Sequence, residues 1–443
     1  MKKLLSSWVL SYFRFFAKRQ LKKNPSATII GVTGSAGKTS LRLAIVEILK
    51  THGTVKHSAH ANSESGIPLN ILGLIPKSYS GLDWLRLIIL APIKLMTNSE
   101  QYKYYVVEMG IDSPDAPKNM SYLLKIIRPH VGVVLNATLT HSAGFDHLVK
   151  DTSPVRRMEK LIQIIAKEKM LLAKGISSKG VAVFNIDQKE FAAEKRGVTA
   201  RQITFGKSPK ADLRILNCSV TRHGFTLTFS YQGQTHKLVL PDVFPEAYAY
   251  TFAAAIATGA ALGIPPLLSV PSLAKYHAPS GRMRLFSGKH DSTIIDSSYN
   301  ASPETMLESL KLLRSLGGRS KKIAVIGDMR ELGLSEKIAH KNLADWLLLY
   351  CDEVILFGDL TREHTLPVLM SKKFPVHHFA KMHDLTKYLH NVVKPKSYVL
   401  VKGSQNTIYL ERAVESILEN HADVAKLCRR GIYWDNLRNK ATK

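Results

Sequence analysis

The sequence predicts an α/β protein in which each of two domains is built on a mostly parallel sheet. Short apolar runs typical of buried strands alternate with helical patterns, and the first unit joins the run 28–32 to a helix from Lys38 through a glycine-rich turn. A stretch rich in Pro and Gly, 264–281, separates two series of this kind. We therefore expect an N-terminal helix, a central domain and a C-terminal Rossmann-like domain over residues 1–24, 25–276 and 277–443.

The remaining elements follow from the same patterns of apolar residues. In the central domain we predict strands at 104–108, 131–136 and 180–185, antiparallel ribbons over 202–239, and helices at 154–174 and 247–262. In the second series we predict strands at 293–296, 322–327, 353–358 and 398–402, with helices at 303–316, 335–350 and 408–419. Strands that alternate with helices form parallel sheets, because each helix carries the chain back across the sheet.

The composition excludes several classes of protein. Apolar residues make up 45% of the 443 residues, which is too many for a disordered chain. Three cysteines without a C-x-x-C pair argue against a disulfide framework or a cysteine zinc site, so we expect a reducing, cytoplasmic location. The net charge of +27 favours polyanionic partners such as nucleotides, nucleic acid, anionic lipid surfaces or acidic substrates.

The N-terminal segment predicts a basic amphipathic helix rather than a secretion signal. Arg14 interrupts its apolar part, and no small-residue cleavage site follows. Leu5, Val9, Tyr12 and Phe16 would share one face of the helix. Such a helix suits either contact with the inner face of the membrane or packing on its own domain. No apolar run reaches the roughly 18 residues that a membrane span requires.

The glycine-rich turn after the first strand has the composition of a phosphate-binding loop. The segment from Gly31 to Thr39 is GVTGSAGKT. Glycines let several backbone N–H groups face one anion, and the N-terminus of the following helix adds its positive end. Lys38 can reach the β- and γ-phosphates of a nucleotide, and the Thr39 hydroxyl can bind Mg²⁺. The strict motif spacing fails at Val32, so an incidental glycine-rich turn is the alternative.

Glu108 ends the next strongly apolar run, YYVVEMG. An acid at the carboxyl end of a parallel strand beside a phosphate loop can hold the Mg²⁺ of a bound nucleotide. The alternative interpretation is an ordinary loop acid or helix cap.

Taken in order, these and further motifs resemble the Mur ligase family from about residue 29 to 418. The matching segments of the central domain are Thr33–Thr39, NSESGIPL from Asn62, Glu108-Met109-Gly110, the run from Pro129 through Asn136 to His141, and Ala166-Lys167. Those of the C-terminal domain are Gly281-Arg282-Met283, DSSYNASP from Asp296, GDMRELG from Gly327 with His340, and Lys402-Gly403-Ser404. The last two are most similar to the branch that joins D-alanyl-D-alanine to UDP-N-acetylmuramoyl-tripeptide.

The resemblance implies a P-loop enzyme that activates a carboxylate as an acyl phosphate and then joins it to an amine. The implied cofactors are ATP and two Mg²⁺ ions, and the implied substrates are a cell-wall precursor and an amino acid or dipeptide. The family pattern assigns ATP binding to Thr33, Gly34, Ser35, Ala36, Gly37, Lys38, Thr39, Ser40, Arg282, Asp296, Tyr299 and Asn300. It assigns substrate contacts to Asn62, Ser63, Glu64, His340 and Lys402.

The same pattern assigns the metal ions to Thr39, Glu108, His141 and a carbamylated Lys167, with Lys38, His141 and Lys167 as catalytic residues. A plain lysine would repel Mg²⁺, whereas addition of CO₂ converts its end into an oxygen anion that suits this ion. Without the family pattern, Lys167 is a solvated lysine on a lysine-rich helix and His141 is a structural or surface histidine.

The chain departs from the family pattern at two places. Fewer than 30 residues precede the first strand, so we expect the UDP-binding first domain of the family to be missing. Either a partner chain then holds the UDP group, or the substrate has another handle such as a lipid. The second departure is Ala247-Tyr248, which replaces an H-N pair whose asparagine touches adenine in relatives.

Two other functions remain open. A folylpolyglutamate- or cyanophycin-type ligase would share the core and use another acceptor, although the GDMRELG segment argues against it. A basic P-loop ATPase that binds nucleic acid or membranes would explain the charge of +27 but not the C-terminal motifs. We therefore do not expect a nucleic-acid partner.

Overall fold

The computed structural model describes residues 2–59, 61–404 and 408–440, whose strands form two sheets. The first sheet contains β1 (Thr28–Thr33), β2 (Val55–His57), β3 (Tyr104–Glu108), β4 (Val131–Val134), β5 (Val181–Asn185), β6 (Arg201–Gly206), β7 (Leu213–Thr221), β8 (Gly224–Tyr231) and β9 (Gln234–Leu240). The second contains β10 (Arg284–Gly288), β11 (Ser292–Ser297), β12 (Lys322–Gly327), β13 (Glu353–Phe357), β14 (Val376–Phe379) and β15 (Tyr398–Lys402).

Helices connect these strands and cover both sheets. The helices that precede β10 are α1 (Lys2–Leu21), α2 (Lys38–Lys50), α3 (Gly66–Leu72), α4 (Gly81–Thr97), α5 (Met120–Ile126), α6 (Pro154–Lys174), α7 (Lys189–Glu194), α8 (Tyr248–Ala261) and α9 (Pro266–Leu273). Those that follow are α10 (Pro303–Gly317), α11 (Glu336–Tyr350), α12 (Leu366–Ser371), α13 (Met382–Val392), α14 (Glu411–Ile417) and α15 (Ile432–Lys440).

Both sheets are mostly parallel, which confirms the predicted fold class. The first sheet has the order β2-β3-β1-β4-β5-β6-β7-β8-β9, and its pairs are parallel from β2 to β7 and antiparallel from β7 to β9. The second has the order β10-β11-β15-β12-β13-β14, with an antiparallel pair at β10–β11 and parallel pairs elsewhere. Because β1 lies between β3 and β4, the loops after all three strands meet at one edge of the sheet.

Three local predictions are wrong. The stretch 264–281, expected as a linker, contains α9, whose buried Leu273 packs with α2 and α8. The strand β6, expected in an antiparallel ribbon, pairs in parallel with β5 and β7. The pattern also missed β10 and β14 at the two edges of the second sheet, where short strands carry few buried residues. The domain boundary at residue 276 stays a prediction.

Helices pack on both faces of the first sheet. On one face, Leu41 and Ile45 of α2 and Phe252 of α8 pack against Ile30 and Val106. On the other face, α5 and α6 pack against Tyr105 and Val107 through a separate set of buried residues that includes Leu123, Leu161 and Ile165. Strand residues that alternate between two apolar layers produce the continuous apolar runs seen in the sequence.

The N-terminal helix α1 packs on its own domain through its apolar face. Phe13 is fully buried, and its ring lies 6.0 Å from that of Trp84 in α4. The Tyr12 hydroxyl donates a hydrogen bond of 2.9 Å to the carbonyl of Ile88. The face of α1 that contains Tyr12 and Phe16 is therefore used inside the protein. In the described part of the chain, no helix has the length and apolar character needed to cross a bilayer.

We predict that Phe13→Ala lowers the free energy of unfolding by about 3–5 kcal/mol, because it empties a filled site between α1, α3 and α4. Urea unfolding followed by circular dichroism measures the change. Phe15→Ala is the control, since this neighbouring ring is half exposed and its loss should cost less than about 1 kcal/mol. Equal stability of the two variants would show that α1 is not docked.

Candidate active site

The phosphate loop lies between the end of β1 and the start of α2. Gly37 adopts a left-handed backbone with φ of 82°, and a Cβ atom placed on it would lie 2.9 Å from Cδ2 of Leu135. Both the backbone conformation and the close approach require glycine at this position. The helix α2 begins at Lys38, so the N–H groups of its first turn point out of the helix end without helical partners. This arrangement is suited to binding a phosphate group.

The side chain of Asn136, which follows β4, holds the loop in place. Its Oδ1 accepts hydrogen bonds from the backbone N–H groups of Ser35 at 2.9 Å and Ala36 at 3.0 Å. Its Nδ2 donates to the Ala36 carbonyl at 3.1 Å. On the other side, the Thr33 hydroxyl donates to the carbonyl of Met109 at 2.8 Å. Neighbouring strands therefore fix the loop from both sides before any ligand binds.

Lys38 folds back over the loop. Its Nζ donates to the carbonyls of Gly34 at 2.8 Å and Ser35 at 3.1 Å. Although the side chain keeps partial exposure, the protein surrounding its amine lowers the pKa of Lys38; the negative charge of Glu108 opposes this shift and the positive charge of Arg282 adds to it. The amine is thus held ready for an anion that would take the place of these carbonyls.

Glu108 and Thr39, two of the predicted metal ligands, lie side by side. The Thr39 hydroxyl donates to Oε2 of the buried Glu108 at 3.3 Å. The other carboxylate oxygen accepts from Nε of Arg42 at 2.7 Å, and the backbone N–H of Glu108 donates to Ser58 Oγ at 2.8 Å. The strand register contributes to this proximity. Val32, near the end of β1, pairs with Glu108 at the end of β3, so both strands end beside the phosphate loop that leads to Thr39.

The oxygens of Glu108 and Thr39 fit a hard divalent cation that also binds phosphate oxygens. Among residues 2–59, 61–404 and 408–440, no group of three or more His, Cys, Asp or Glu side chains is placed to hold a metal ion. Any Mg²⁺ here would consequently take further ligands from the nucleotide or from water.

The structure places Lys169, and not Lys167, in the site. Lys167 is exposed on α6, whereas Lys169 is 2% exposed on the opposite side of the same helix. Burial lowers the pKa of Lys169 well below its usual value, and the positive charge of Lys38 lowers it further while Asp112 opposes the shift. The assignment of Lys167 is corrected for a geometric reason, since residues two apart on a helix point roughly 200° apart.

His141 reaches across to the C-terminal domain. Its Nδ1 lies 2.6 Å from Oε2 of Glu331 and 3.8 Å from Oδ1 of Asp112. Both His141 and Glu331 have left-handed backbones, with φ values of 60° and 65°. Such conformations are costly for residues with a Cβ and persist where the surroundings enforce them. The structure therefore puts His141 beside two carboxylates at the junction of the domains.

The loop 331–334 docks on the segment that follows His141. The Ser142 hydroxyl donates to the carbonyl of Leu332 at 3.1 Å, and the Leu334 N–H donates to Oδ2 of Asp146 at 2.8 Å. Arg157 in turn donates to Oδ1 of Asp146 at 2.8 Å. A Cβ on Gly333 would lie 1.9 Å from Oδ2 of Asp146, so the two backbones approach as closely as glycine permits. This contact fixes the C-terminal domain against the segment that follows His141.

Arg282 and Tyr299 form the C-terminal wall of the site. The Arg282 guanidinium lies 4.5 Å from the centre of the Tyr299 ring, and that of Arg429 lies 5.5 Å from it. Arg429 forms a buried ion pair of 2.7 Å with Glu411 and donates to the Tyr299 carbonyl at 3.0 Å. The Tyr299 ring thus contacts both arginines, while Asn300 is partly exposed.

Asp296 and Lys402 are buried beneath this wall rather than open to ligands. Oδ1 of Asp296 accepts from the Ser298 hydroxyl at 2.6 Å, and burial raises the pKa of its carboxyl group. Nζ of Lys402 donates to Ser297 Oγ at 3.0 Å and to the Asn300 carbonyl at 2.9 Å. Burial, aided by the charge of Arg282, lowers the pKa of Lys402 to about 7. The predicted direct contacts of Asp296 with ATP and of Lys402 with substrate are not available in this arrangement.

His340 also supports the fold rather than a substrate. Its Nε2 accepts from the Met329 N–H at 3.0 Å, and its Nδ1 lies 2.8 Å from the Glu336 carbonyl. Burial lowers the pKa of His340, which favours a neutral ring that donates through Nδ1. The predicted substrate contact is corrected, because the ring is fully buried and both nitrogens are used to shape the loop that leads to Glu331.

The predicted substrate segment around Asn62 remains accessible. Asn62 is exposed and Ser63 and Glu64 are partly exposed, directly before α3. The Asn62 carbonyl accepts from the N–H of Gly110 at 2.8 Å. Because Gly110 lies two residues after Glu108, this contact places the Asn62–Glu64 segment beside the end of β3.

Tyr248 occupies the position where the family pattern has the asparagine of an H-N pair. Its hydroxyl lies 3.0 Å from Ser40 Oγ and donates to the Arg282 carbonyl at 3.4 Å. Its ring stacks on Phe244 with centres 4.9 Å apart. Ser40 is thereby buried against this ring, and the predicted contact of its side chain with ATP is replaced by a link between α2 and the segment that precedes β10.

Sequence reasoning missed Lys169, Asp112 and Glu331 as site residues. Lys169 could have been found from helical spacing, since it follows the buried Leu161 and Ile165 at intervals of four. Asp112 lies in the loop that begins directly after Glu108, the last residue of β3, so it is also an acid at the carboxyl end of that strand. Glu331 belongs to the GDMRELG motif, but no feature of the sequence placed it against His141.

Comparison with known proteins gives the family. The Mur ligase middle domain matches residues 32–259, and the Mur ligase glutamate ligase domain matches residues 281–405. The chain is 25% identical over 406 residues to the UDP-N-acetylmuramoyl-tripeptide--D-alanyl-D-alanine ligase of Buchnera aphidicola subsp. Baizongia pistaciae, covering 90% of this chain and 77% of that protein.

Solved structures share the fold. MurF from Acinetobacter baumannii superposes with a TM-score of 0.74 at 22% identity, covering 94% of this chain and 80% of that one. MurF ligase from Thermotoga maritima in complex with ADP superposes with a TM-score of 0.72 at 23% identity, covering 97% and 84%. Because the middle-domain match alone spans more than half of the chain, this protein belongs to the Mur ligase family.

Proposed function

We propose that this protein is a cytoplasmic ATP-dependent ligase that joins D-alanyl-D-alanine, or a similar amine, to a muramoyl-peptide precursor of peptidoglycan. The observation that carries the proposal is that Lys38, Lys169 and His141 all lie near Asp112, beside the pair of Thr39 and Glu108. The name of the Buchnera relative supports the choice of substrates. The three cysteines are free, which agrees with a reducing compartment.

The chemistry requires positive charge more than a nucleophilic side chain. A carboxylate oxygen of the precursor attacks the γ-phosphorus of ATP, and the bond to the ADP oxygen breaks. The neutral amine then attacks the acyl carbon, the bond to phosphate breaks, and the amine nitrogen loses a proton. Negative charge gathers around the γ-phosphate in the first step, and Lys38 with Arg282 stands where it can stabilise that charge.

Thr39 and Glu108 would hold one Mg²⁺, and His141 would face a second. The ions would neutralise phosphate charge and help to align the γ-phosphate with the carboxylate. Arg42 already neutralises one oxygen of Glu108, which leaves Oε2, on the side of Thr39, for the cation. The protein contributes few ligands of its own, so we expect metal affinity to depend strongly on bound nucleotide.

Lys169 is the residue we propose for carbamylation. Only a neutral amine adds to CO₂, and burial beside Lys38 lowers the pKa of Lys169 in the direction that supplies one. The carbamate would replace a repulsive positive charge beside Lys38 with an attractive negative one. The modification therefore resolves the electrostatic conflict that the bare lysine creates.

Closure of the C-terminal domain protects the acyl phosphate from water. In the closed arrangement, Glu331 contacts His141, and the loop 331–334 seals one side of the site. The accessible Asn62–Glu64 segment then offers the entry side for the precursor. Either a UDP group held by a partner chain or a lipid-linked handle would satisfy this geometry.

The test is incubation of the full chain with ATP, Mg²⁺, UDP-N-acetylmuramoyl-tripeptide and D-alanyl-D-alanine, with mass spectrometry of the product. We expect a mass equal to the two substrates less one water, together with one ADP for each bond formed. Parallel reactions replace the precursor with a lipid-linked analogue or with a folate. Coupling of a folate in place of the muramoyl peptide would contradict the proposal.

We predict that Lys169→Ala reduces kcat by about a hundredfold or more, because it removes a group from the phosphate side of the site. Lys167→Ala is the matched control two residues away and should keep activity, since its side chain is exposed. Steady-state ADP release with both substrates measures each variant. Loss of activity in Lys167→Ala with Lys169→Ala unaffected would restore the original sequence assignment.

The pH dependence of the carbamate follows from the same residue. Below the lowered pKa of Lys169 the amine takes up a proton and cannot add to CO₂, so activity should fall on the acid side. Enzyme depleted of CO₂ at low pH should regain activity after a lag when bicarbonate is added at higher pH, and intact-protein mass should rise accordingly. Recovery without bicarbonate would argue against the modification.

We predict that Gly333→Ala lowers kcat by at least about tenfold while ADP affinity changes little, because a methyl group would push the loop 331–334 away from Asp146. Isothermal titration with ADP and steady-state kinetics separate the two effects. Gly263→Ala is the control, since that glycine also has a left-handed backbone, with φ of 80°, but no neighbour near its Cβ position. An equal loss of kcat in both variants would assign the effect to backbone strain alone.

A further inference from the structure

The helix α4 carries an exposed apolar stripe along its whole length. Leu82, Leu85, Ile89, Ile93 and Met96 follow one another at helical spacing and are 82%, 54%, 57%, 43% and 76% exposed. The helix has 17 residues, which corresponds to a length of about 25 Å. A soluble protein rarely leaves so continuous an apolar surface uncovered unless it binds something.

The opposite face of α4 is already packed. Leu87 and Ala91 are fully buried against Phe13 of α1 and against Leu69 and Leu72 of α3. The helix is thus held in place from inside, and rearrangement is not needed to present the stripe. With all described residues in place, the outer side chains still remain in solvent.

The charged residues of α1 and α4 are mostly basic. The sequences of α1 and α4 together contain seven Lys or Arg residues and a single acid, Asp83. Asp83 is buried, accepts hydrogen bonds from the N–H groups of residues 77, 78 and 79, and forms an ion pair of 2.7 Å with Arg86, so these two charges cancel. Among the described side chains of this helix pair, the charges that remain belong to Arg14, Lys18, Arg19 and Lys94 and are positive.

The helix α1 runs beside α4 in the same direction and adds aromatic side chains. Phe13 lies against Trp84 near the start of α4, whereas Lys23, just beyond α1, bonds the carbonyl of Leu95 near its end. Trp8 of α1 is 77% exposed and Phe15 is half exposed. Leucine, isoleucine and tryptophan flanked by Lys and Arg form the composition of helices that lie in a bilayer interface.

We propose that the α1–α4 pair is a docking surface for an anionic lipid bilayer, in which the α4 stripe enters the headgroup region and the flanking cations bind lipid phosphates. A second copy of the chain would bring two surfaces of the same positive sign together, so a bilayer is the occupant that the charge favours. The inference stands on surface residues alone and goes beyond the proposed ligase activity.

The surface lies one helix away from the proposed substrate segment. The helix α3 begins at Gly66, directly after Asn62–Glu64, and its Leu69 and Leu72 pack against the inner face of α4. Docking would hold that segment close to the membrane. This position suits a precursor presented at the bilayer as well as one in solution.

Vesicle flotation of the full-length protein tests the proposal. We expect it to float with phosphatidylcholine vesicles that contain phosphatidylglycerol, to bind pure phosphatidylcholine weakly, and to lose part of the binding when salt is added. The double variant Leu85→Glu with Ile89→Glu should bind anionic vesicles about tenfold or more weakly, because it places two charges in the apolar stripe.

The matched control is Leu267→Glu with Leu349→Glu, two exposed leucines on α9 and α11 that should leave binding unchanged. ADP binding of every variant reports that the fold is intact and keeps this test separate from ligase activity. Failure of the natural protein to float, or equal binding by both double variants, would overturn the proposal. So would light scattering that shows a dimer dissociated by the stripe variant in a protein that does not float.

Discussion

The site depends on the enclosure of two lysine amines: burial lowers the pKa of both Lys38 and Lys169, and the positive charge of Lys38 lowers that of Lys169 further. Asp112 and Glu108 offset only part of these shifts, and Arg282 adds to the shift at Lys38. Like charges in a poorly solvated cleft favour either loss of a proton or arrival of an anion. A nucleoside triphosphate supplies the anion, and a carbamate on Lys169 would remove one of the two positive charges. The same surroundings would therefore serve both phosphate binding and the proposed carbamylation of Lys169.

Domain closure is built around the same centre. His141 and Glu331 adopt left-handed backbones at the point where the two domains touch. Gly333 lets its loop approach the segment around Asp146 more closely than a residue with a Cβ atom could. The energetic cost of such conformations is met by contacts on both sides, including the Leu334–Asp146 hydrogen bond. Since these contacts exist only when the domains are closed, the strained residues link the position of the C-terminal domain to the geometry around His141. Within the GDMRELG motif, Glu331 thus contacts His141 across the two domains.

Much of the fold and part of the site could be predicted because they follow from local patterns. Apolar runs defined β1, β3 and β12 closely, and the parallel order of β1 and β3 brings Thr39 and Glu108 together without further information. Side-chain direction was harder. On α6, Lys167 is exposed and Lys169, two positions later, is buried. Matching a short motif does not tell which side of a helix a residue faces. The burial of His340 and Lys402 depends on contacts with distant parts of the chain, such as Met329 and Ser297, which one sequence does not disclose.

The N-terminal helix is a second case in which the sequence pattern did not show which helix face is buried. The sequence pattern predicted a helix at the N-terminus, which α1 is, but the face that contains Tyr12, Phe13 and Phe16 packs on α3 and α4. What faces solvent instead is the outer side of α4, a largely apolar helix whose surface position did not follow from its sequence pattern. An apolar helix with one covered face needs a second apolar environment, and the surrounding charge decides which kind. Because the acid of these two helices, Asp83, is paired with Arg86 and the other charges on their described side chains are positive, lipid phosphates match this surface better than another copy of it does.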